Sequence, residues 1–190
     1  MSLSLREKKK AETRAAINEA AAKLFLEKGY ADTTLSDIAA LANVSQRTIF
    51  SYFPSKEAIL FSRSQLFIDD FIAHIEQRGN MTVFDAIRSF SAYVHEIHYG
   101  GVQHDQIRSI INSTPALHDY FSGLLTKLER KLLVLIADER HFPIDSIQAH
   151  MVAASIRAII SYRFLHGQTD NDASLAALRF IEGGLKEIEG

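Results

Sequence analysis

Apolar residues recur three or four positions apart along almost the whole chain, the spacing that places them on one face of an α-helix. No segment shows the strict alternation of apolar and polar residues that marks a β-strand. Glycine, proline and asparagine interrupt the pattern at a few points and divide it into separate helices. The sequence therefore predicts an all-α protein of about nine helices, over 13–30, 34–42, 46–53, 55–77, 82–99, 103–112, 115–141, 145–166 and 172–188.

The segment 33–60 combines short helices with a tight turn. Thr34 has the side chain of an N-cap at the start of the first helix. Asn43 follows that helix and tolerates a left-handed conformation, so the chain can turn sharply there. Ser45 caps the next helix, and Pro54 ends it. Two helices joined by so short a turn form a helix-turn-helix, whose second helix fits the major groove of DNA.

The second of these helices carries polar side chains on the face opposite its apolar residues. These side chains carry amide, guanidinium, hydroxyl and ammonium groups. Such groups donate hydrogen bonds to base edges and phosphates. A short polar helix after a tight turn also occurs in ordinary helical domains, so the shape alone leaves a purely structural role open. The outward-facing residues that favour a DNA-binding role are Gln46, Arg47, Thr48 and Tyr52, with Lys56 just beyond the helix.

From Thr34 to Leu60 the chain follows the order T-x-x-x-I-A-x-x-A-x-V-S-x-x-T-I-F-x-Y-F-x-x-K-E-x-x-L. This order resembles the N-terminal domain of the TetR family of transcriptional regulators, and residues 13–30 resemble the first helix of that domain. The resemblance covers about fifty residues. The rest of the chain is similar to the family only in length and helical pattern.

The resemblance implies a DNA-binding domain over 1–54 and a helical effector-binding and dimerisation domain over 55–190. Phe50 stands where many members have a tyrosine that reaches a phosphate, so we assign it an apolar contact with a thymine methyl. Phosphate contacts then fall to Thr48, Tyr52 and Lys56. The full set of expected DNA-binding residues is Thr33, Thr34, Ser45, Gln46, Arg47, Thr48, Phe50, Ser51, Tyr52 and Lys56.

Composition narrows the class of protein. A chain of 190 residues that is 47% apolar can bury the cores of one or two small domains. It has no cysteine, which excludes disulfides, thiol catalysis and thiolate metal sites. Its longest strictly apolar run, 132–137, is far too short to cross a bilayer. We therefore expect a cytoplasmic protein without a membrane partner.

The net charge of -2 is unevenly distributed along the chain. Residues 1–56 hold nine Lys/Arg and six Asp/Glu, which gives +3, whereas the remainder holds twelve and seventeen, which gives -5. A basic head concentrates phosphate attraction near the proposed DNA-reading helix. The densest basic cluster, Arg6, Lys8, Lys9 and Lys10, is interpretable either as a solvated, disordered tail or as an arm that touches phosphate or the minor groove.

The last two predicted helices differ from the others in the distribution of their apolar residues. Residues 151–162 are apolar or small on nearly every face, so the helix needs cover all round. A central position in a monomer would supply that cover, and so would a four-helix interface shared by two copies. The resemblance favours a homodimer, which would read a palindrome. The expected interface residues are Met151, Ser155, Ile159, Tyr162, Leu175, Leu178 and Ile181.

A small-molecule effector site is expected in the second domain, because aromatic and apolar residues there accompany a few polar groups, as in many ligand pockets. An inward-facing Arg108 or Arg163 would favour an anionic effector. His95, His98 and His104 lack an accompanying carboxylate cluster, so we expect no metal and no cofactor. The candidate ligand-binding residues are Phe67, Phe71, His74, Phe90, Tyr93, His98, Arg108, Phe121 and Tyr162.

These features predict a sequence-specific transcriptional regulator, in which an effector releases a repressor from a palindromic operator of double-stranded DNA. Two other classes compete with this hypothesis. A helical protein-interaction module would explain the amphipathic helices but would leave the outward polar set without a purpose. A histidine-based enzyme is disfavoured because the chain has no Gly-x-Ser-x-Gly, phosphate-loop or HExxH motif.

Overall fold

The computed structural model describes residues 4–96, 102–167 and 170–189. Within these ranges the chain forms only α-helices and their connections, which confirms the all-α prediction. Among the helices described, none is both long enough and apolar enough to cross a bilayer. The helices are α1 (Leu5–Lys28), α2 (Leu35–Leu41), α3 (Gln46–Tyr52), α4 (Lys56–Leu60), α5 (Ser62–Glu76), α6 (Val83–Glu96), α7 (Val102–Ser113), α8 (Pro115–Arg140), α9 (Ile147–His166) and α10 (Asn171–Glu189).

The described ranges contain ten helices where the sequence predicted nine, because the helix predicted over 55–77 is divided. The division falls at Phe61, whose φ of -90° and ψ of 10° lie outside the helical region. Phe61 is buried, and the Oγ of the next residue, Ser62, donates a hydrogen bond to Oδ1 of Asn18 at 3.0 Å. The interruption therefore buries one aromatic ring and ties the start of α5 to α1.

The chain folds as two compact units, Met1–Gln65 and Leu66–Gly190. The sequence predicts a domain boundary after residue 54 instead. The difference arises because α4 packs against α1 and contributes buried side chains, Ile59 and Leu60, to the first unit. The segment that follows the helix-turn-helix is therefore part of the same compact unit.

A small apolar core holds the first unit together. Helix α1 packs against α2 and α4, and α2 packs against α3. Each short helix contributes one or two large side chains, so none of the three has a core of its own. The buried residues of this core include Ile17, Ala21, Phe25, Ile38, Ala39, Ile49, Phe53, Ile59 and Phe61.

The turn between α2 and α3 contains the left-handed residue that the sequence predicted. Asn43 has a φ of 53°. Its N–H donates to the carbonyl of Ala40 at 3.3 Å, and the N–H of Val44 donates to the carbonyl of Ala39 at 3.0 Å. These are the two hydrogen bonds of a Schellman motif. They satisfy two carbonyls at the end of α2 and lead the chain directly to the start of α3.

Helix α8 is the central helix of the second unit. It packs against α6, α7 and α9, and α10 packs against α6 and α9. An ion pair joins α6 to α10, with Nη1 of Arg88 2.8 Å from Oε2 of Glu182. The buried apolar residues of α8 recur at helical spacing: Leu117, Phe121, Leu124, Leu125, Leu128, Leu132 and Ile136.

The left-handed turn predicts opposite effects for two substitutions of Asn43. A residue with a Cβ pays about 1–2 kcal/mol in this conformation unless its side chain compensates, whereas glycine does not. Asn43 is exposed, so no packing is lost in either case. We expect Asn43→Ala to lower the free energy of unfolding of the first unit by about 1 kcal/mol, and Asn43→Gly to leave it equal or higher. Urea denaturation measures both, and an equal loss in the two variants would contradict this account.

Candidate nucleic-acid interface

Helix α3 carries most of the predicted DNA-reading residues, and its ends are well defined. The Oγ of Ser45 accepts a hydrogen bond from the N–H of Thr48 at 3.0 Å and lies 2.8 Å from the Oγ1 of Thr48. Ile49 and Phe53 are buried in the core of the unit. Because these two residues fix the inner face of α3, the rest of the helix is turned outward.

The outward face of α3 is chemically mixed. Phe50 is 55% exposed, so a large apolar ring stands among polar groups. Such a ring can contact a thymine methyl in the major groove. The polar side chains on this face are Gln46, Arg47 and Ser51, which are exposed, and Thr48 and Tyr52, which are half-buried.

Two threonines assigned to DNA binding make contacts within the protein. Thr33 is only 1% exposed, and its Oγ1 donates to the carbonyl of Gly29 at 2.7 Å. A side chain buried in this way cannot reach DNA, which corrects the assignment of Thr33. Thr34 is exposed and caps α2, since its Oγ1 accepts the N–H of Asp37 at 3.1 Å. The expected capping box is therefore present.

The carboxylate of Asp37 links the start of α2 to the end of α1. Its Oδ2 accepts hydrogen bonds from Nζ of Lys28 at 2.6 Å and from the backbone N–H of Thr34 at 2.8 Å. The hydrogen bonds from Lys28 and Thr34 hold the pKa of Asp37 well below its usual range. The pair is exposed, so its main effect is to orient the two helix ends rather than to stabilise them strongly.

Lys56, which the sequence analysis assigned to phosphate, has its ammonium turned into the first unit. Nζ donates to the carbonyls of Tyr30 at 2.7 Å, Thr33 at 2.9 Å and Ala31 at 3.5 Å. It also lies 4.1 Å from the centroid of the Tyr30 ring. An ammonium has three N–H donors, and these three carbonyls use them all. The structure therefore gives Lys56 an internal role in place of the predicted phosphate contact.

Glu57 completes this cluster, because the hydroxyl of Tyr30 donates to its Oε1 at 2.5 Å. Burial favours the neutral form of Glu57, but hydrogen bonds from Tyr30 and Ser55 and the charge of Lys56 lower its pKa overall. Burial also lowers the pKa of Lys56, against the charges of Glu57 and Asp32. We call Tyr30, Lys56 and Glu57 the α1–α2 clamp. It holds the segment between α1 and α2 against the start of α4.

Four of the predicted ligand-binding residues meet in the second unit. The ring centroid of Phe90 lies 5.5 Å from that of Phe67, 5.1 Å from that of Phe71 and 5.4 Å from that of His74. The Nε2 of His74 is 2.8 Å from the Oγ of Ser89. Phe71 and Phe90 are buried, so these rings pack on one another as part of the core.

The remaining ligand-binding predictions fall elsewhere. Phe121 stacks on Phe164 with centroids 4.3 Å apart, and the exposed Tyr162 stacks on His166 at the same distance. The side chains of Tyr93, His95 and His104, and the whole of His98, lie outside the described residues.

Arg108 borders an open surface depression of about 480 Å³ in the second unit. Its guanidinium lies against Gly167, where a methyl group would come within 2.5 Å of it. Gly167 also has a φ of 64° as the C-cap of α9, a left-handed conformation that favours glycine. The residues that line the depression are Arg108, Ser109, Asn112, Ser113, Leu165 and His166.

The predicted dimer-interface residues divide by exposure. Leu178 is only 3% exposed and packs within its own subunit, which corrects its assignment to the interface. Phe180, which the sequence analysis missed, is 84% exposed. It lies two residues, or about 200° around the helix, from Leu178, so these two residues are on nearly opposite sides of α10. Among the other predicted residues, Met151 and Tyr162 are exposed and Ser155, Ile159, Leu175 and Ile181 are half-buried.

Comparison with known proteins gives some matches over the N-terminal part of the chain and others over most of its length. The sequence profile of the family described as bacterial regulatory proteins, tetR family, matches residues 17–62. The chain is 25% identical over 187 residues to the HTH-type transcriptional regulator TcmR of Streptomyces glaucescens, covering 93% of this chain and 83% of TcmR. It is 43% identical over 53 residues to the uncharacterized HTH-type transcriptional regulator YuxN of Bacillus subtilis, covering 28% of this chain and 18% of YuxN.

The fold is also similar to that of a solved structure. NalD, the secondary repressor of the MexAB-OprM multidrug efflux pump in Pseudomonas aeruginosa, superposes with a TM-score of 0.62. The alignment covers 92% of this chain and 97% of NalD at 17% identity, so the likeness is one of fold.

From the contacts of the α1–α2 clamp we predict that Lys56→Ala lowers the stability of the first unit. Removing the ammonium leaves partly buried carbonyls without a donor, and we expect the free energy of unfolding to fall by about 1–3 kcal/mol in urea denaturation. Lys23→Ala is the matched control, because Lys23 is an exposed lysine on α1. If Lys56 instead bound phosphate, the variant would keep its stability and lose about 0.9 from the slope of log K against log salt in DNA binding.

Proposed function

The chain belongs to the TetR family of transcriptional regulators, and on that premise we propose that it is a repressor, which binds a palindromic operator as a homodimer and is released by an effector. Its relatives are DNA-binding regulators of transcription and not enzymes. The observation that carries the proposal is the capped helix α3, which turns amide, guanidinium and aromatic groups outward from a rigid turn.

The side chains of α3 suit direct readout of bases. Arg47 can donate two hydrogen bonds to a guanine, and Gln46 can pair in a bidentate manner with an adenine. Phe50 matches the methyl group of thymine. Thr48 and Tyr52 are half-buried at the edge of the face, and we assign to them the phosphate contacts that fix the register of such a helix on DNA. Lys56 is left out of this set because its donors are used within the protein.

An exposed apolar face on α9 and α10 supports the proposed homodimer. Ile147, Met151 and Tyr162 are exposed on α9, at spacings of four and eleven residues that keep them on one side of the helix. Phe180 adds a ring on α10 that is 84% exposed. Burying such a face against a second copy would make an isologous interface. Two α3 helices set roughly 34–36 Å apart would then read the two halves of a palindrome.

The depression beside Arg108 supports an effector that carries an anionic group. Arginine recognises carboxylates and phosphates through paired N–H donors, and the hydroxyl and amide groups of Ser109 and Asn112 line the same depression. An effector that prefers the dimer with its α3 helices too far apart for both half-sites would lower operator affinity. DNA would weaken effector binding by the same factor.

Selection of bound duplexes from a random pool tests the function directly. We expect a palindromic sequence to emerge and to give a specific gel shift at moderate salt. If no sequence is bound specifically under these conditions, the proposal is overturned.

Substitution of Arg47 tests the assignment of base readout. We expect Arg47→Ala to weaken binding to the selected sequence by about 1–3 kcal/mol and to relax the preference for one base pair in each half-site. Arg130→Ala, at an exposed arginine of the second unit, should change neither quantity. A uniform loss of affinity across all sequences would instead make Arg47 a phosphate contact.

A charge placed on the exposed apolar face tests the dimer. We expect Phe180→Glu to shift the protein toward monomers in sedimentation equilibrium, because a carboxylate would be desolvated in the interface. Val134→Glu adds the same charge at an exposed apolar position of α8 and should leave the mass unchanged. Wild-type association in the Phe180 variant would show that the interface lies elsewhere.

A further inference from the structure

The basic cluster near the start of the chain is part of helix α1 and not an extended tail. Ser4 caps the helix, since its Oγ accepts the N–H of Glu7 at 3.3 Å, and its own N–H donates to Oε2 of Glu7 at 2.8 Å. This capping box begins α1 at Leu5, eight residues before the start predicted from the apolar pattern. Arg6, Lys9 and Lys10 therefore lie on a defined helical surface.

The first turns of α1 extend beyond the core of the first unit. Every residue from 4 to 12 is exposed, and the first buried residue of the helix is Ile17. At 1.5 Å per residue, the exposed stretch from Leu5 to Glu12 is about 10 Å long. This length buries no apolar side chain, so packing within the described unit does not account for it.

Helical geometry shows which basic residues share the inward side of α1. Lys10 and Arg6 precede the buried Ile17 by seven and eleven residues, so both lie within about 20° of its direction. Lys9, eight residues before Ile17, lies about 80° around the helix from the direction of Ile17. Lys8, nine residues from Ile17, points in the opposite direction.

The inward side of α1 runs past the end of the DNA-reading helix. The guanidinium of Arg14 lies 4.5 Å from the centroid of the Phe53 ring, and Phe53 is the C-cap residue of α3. Lys10 is one turn before Arg14 and within about 40° of it around the helix, and Arg6 is one turn further on. The projecting basic side chains therefore continue outward from a point of contact with α3.

These cations are not neutralised by the part of the protein that the structure describes. Within it, Arg6, Lys9 and Lys10 form no ion pair, and all three side chains are exposed. Glu7 is engaged at the N-cap, and Glu12 lies on the far side of the helix. A row of unpaired cations at the edge of a DNA-reading helix matches the negative charges of a DNA backbone, which occur about every 1.7 Å along the duplex axis.

We propose that Arg6 and Lys10, with Lys9 at their edge, form a phosphate-binding ridge on α1 that contacts the DNA backbone flanking the half-site read by α3. This inference rests on the proposed function. The ridge lengthens the DNA footprint without reading bases.

Salt dependence measures the ridge directly. The double variant Arg6→Gln, Lys10→Gln keeps side chains that favour helix and removes two charges. Its slope of log K against log salt on the selected operator should be smaller by about 1.8 per protomer, or 0.9 for each lost phosphate contact. Its base preference should equal that of the wild type. Lys8→Gln removes one charge from the opposite side of the helix and should keep the wild-type slope.

Two further measurements distinguish a failure of the ridge proposal from a failure of the proposed function. Trimming the DNA flanks should lower the affinity of the wild type and leave that of the double variant unchanged. A duplex of random sequence is titrated in parallel, where the same loss of slope is expected whether or not a specific operator exists. Circular dichroism confirms that the variants keep their helix content. A double variant with the wild-type slope on both duplexes, or a Lys8 variant with an equal loss, overturns the ridge.

Discussion

Helices α2, α3 and α4 contain seven, seven and five residues, and helices so short are not stable in water by themselves. They persist because their ends are hydrogen-bonded and their inner faces share one core. Thr34, Ser45 and Ser55 each accept an N–H from three residues further on. The α1–α2 clamp supplies donors to the carbonyls between α1 and α2. The position of α3 therefore depends on hydrogen bonds and packing made within the first unit.

Helix α9 belongs to two surfaces of the second unit at once. Its C-terminal residues Leu165 and His166 line the depression beside Arg108, while Met151 and Tyr162 lie on the exposed apolar face. Tyr162 stacks on His166, so one ring contact joins the two surfaces. A molecule bound in the depression would act on the same rigid element that a second copy would cover. Effector binding and subunit arrangement would then be coupled through a single helix.

The sequence predicted those features that are set by neighbours along the chain. Helix periodicity, the caps at Thr34 and Ser45 and the left-handed Asn43 all depend on residues within a few positions, and the structure contains each of them. The phosphate contact predicted for Lys56 was wrong because the carbonyls that bind its ammonium come from residues 23 to 26 positions away. Leu178 was misjudged for a related reason, since a periodic stripe shows which residues share a face but not which neighbour covers it.

Helix α1 runs without a break from its capped start to the core of the first unit. A ridge on this helix would therefore not adjust to DNA independently of α3. Their separation would be a fixed length against which the duplex has to fit. A sequence whose groove is too narrow, or which bends away from α1, would have to be deformed before both contacts form, and the energy of that deformation depends on base pairs that the protein never touches. The rigidity of one helix would thus make the protein a reader of DNA shape as well as of bases.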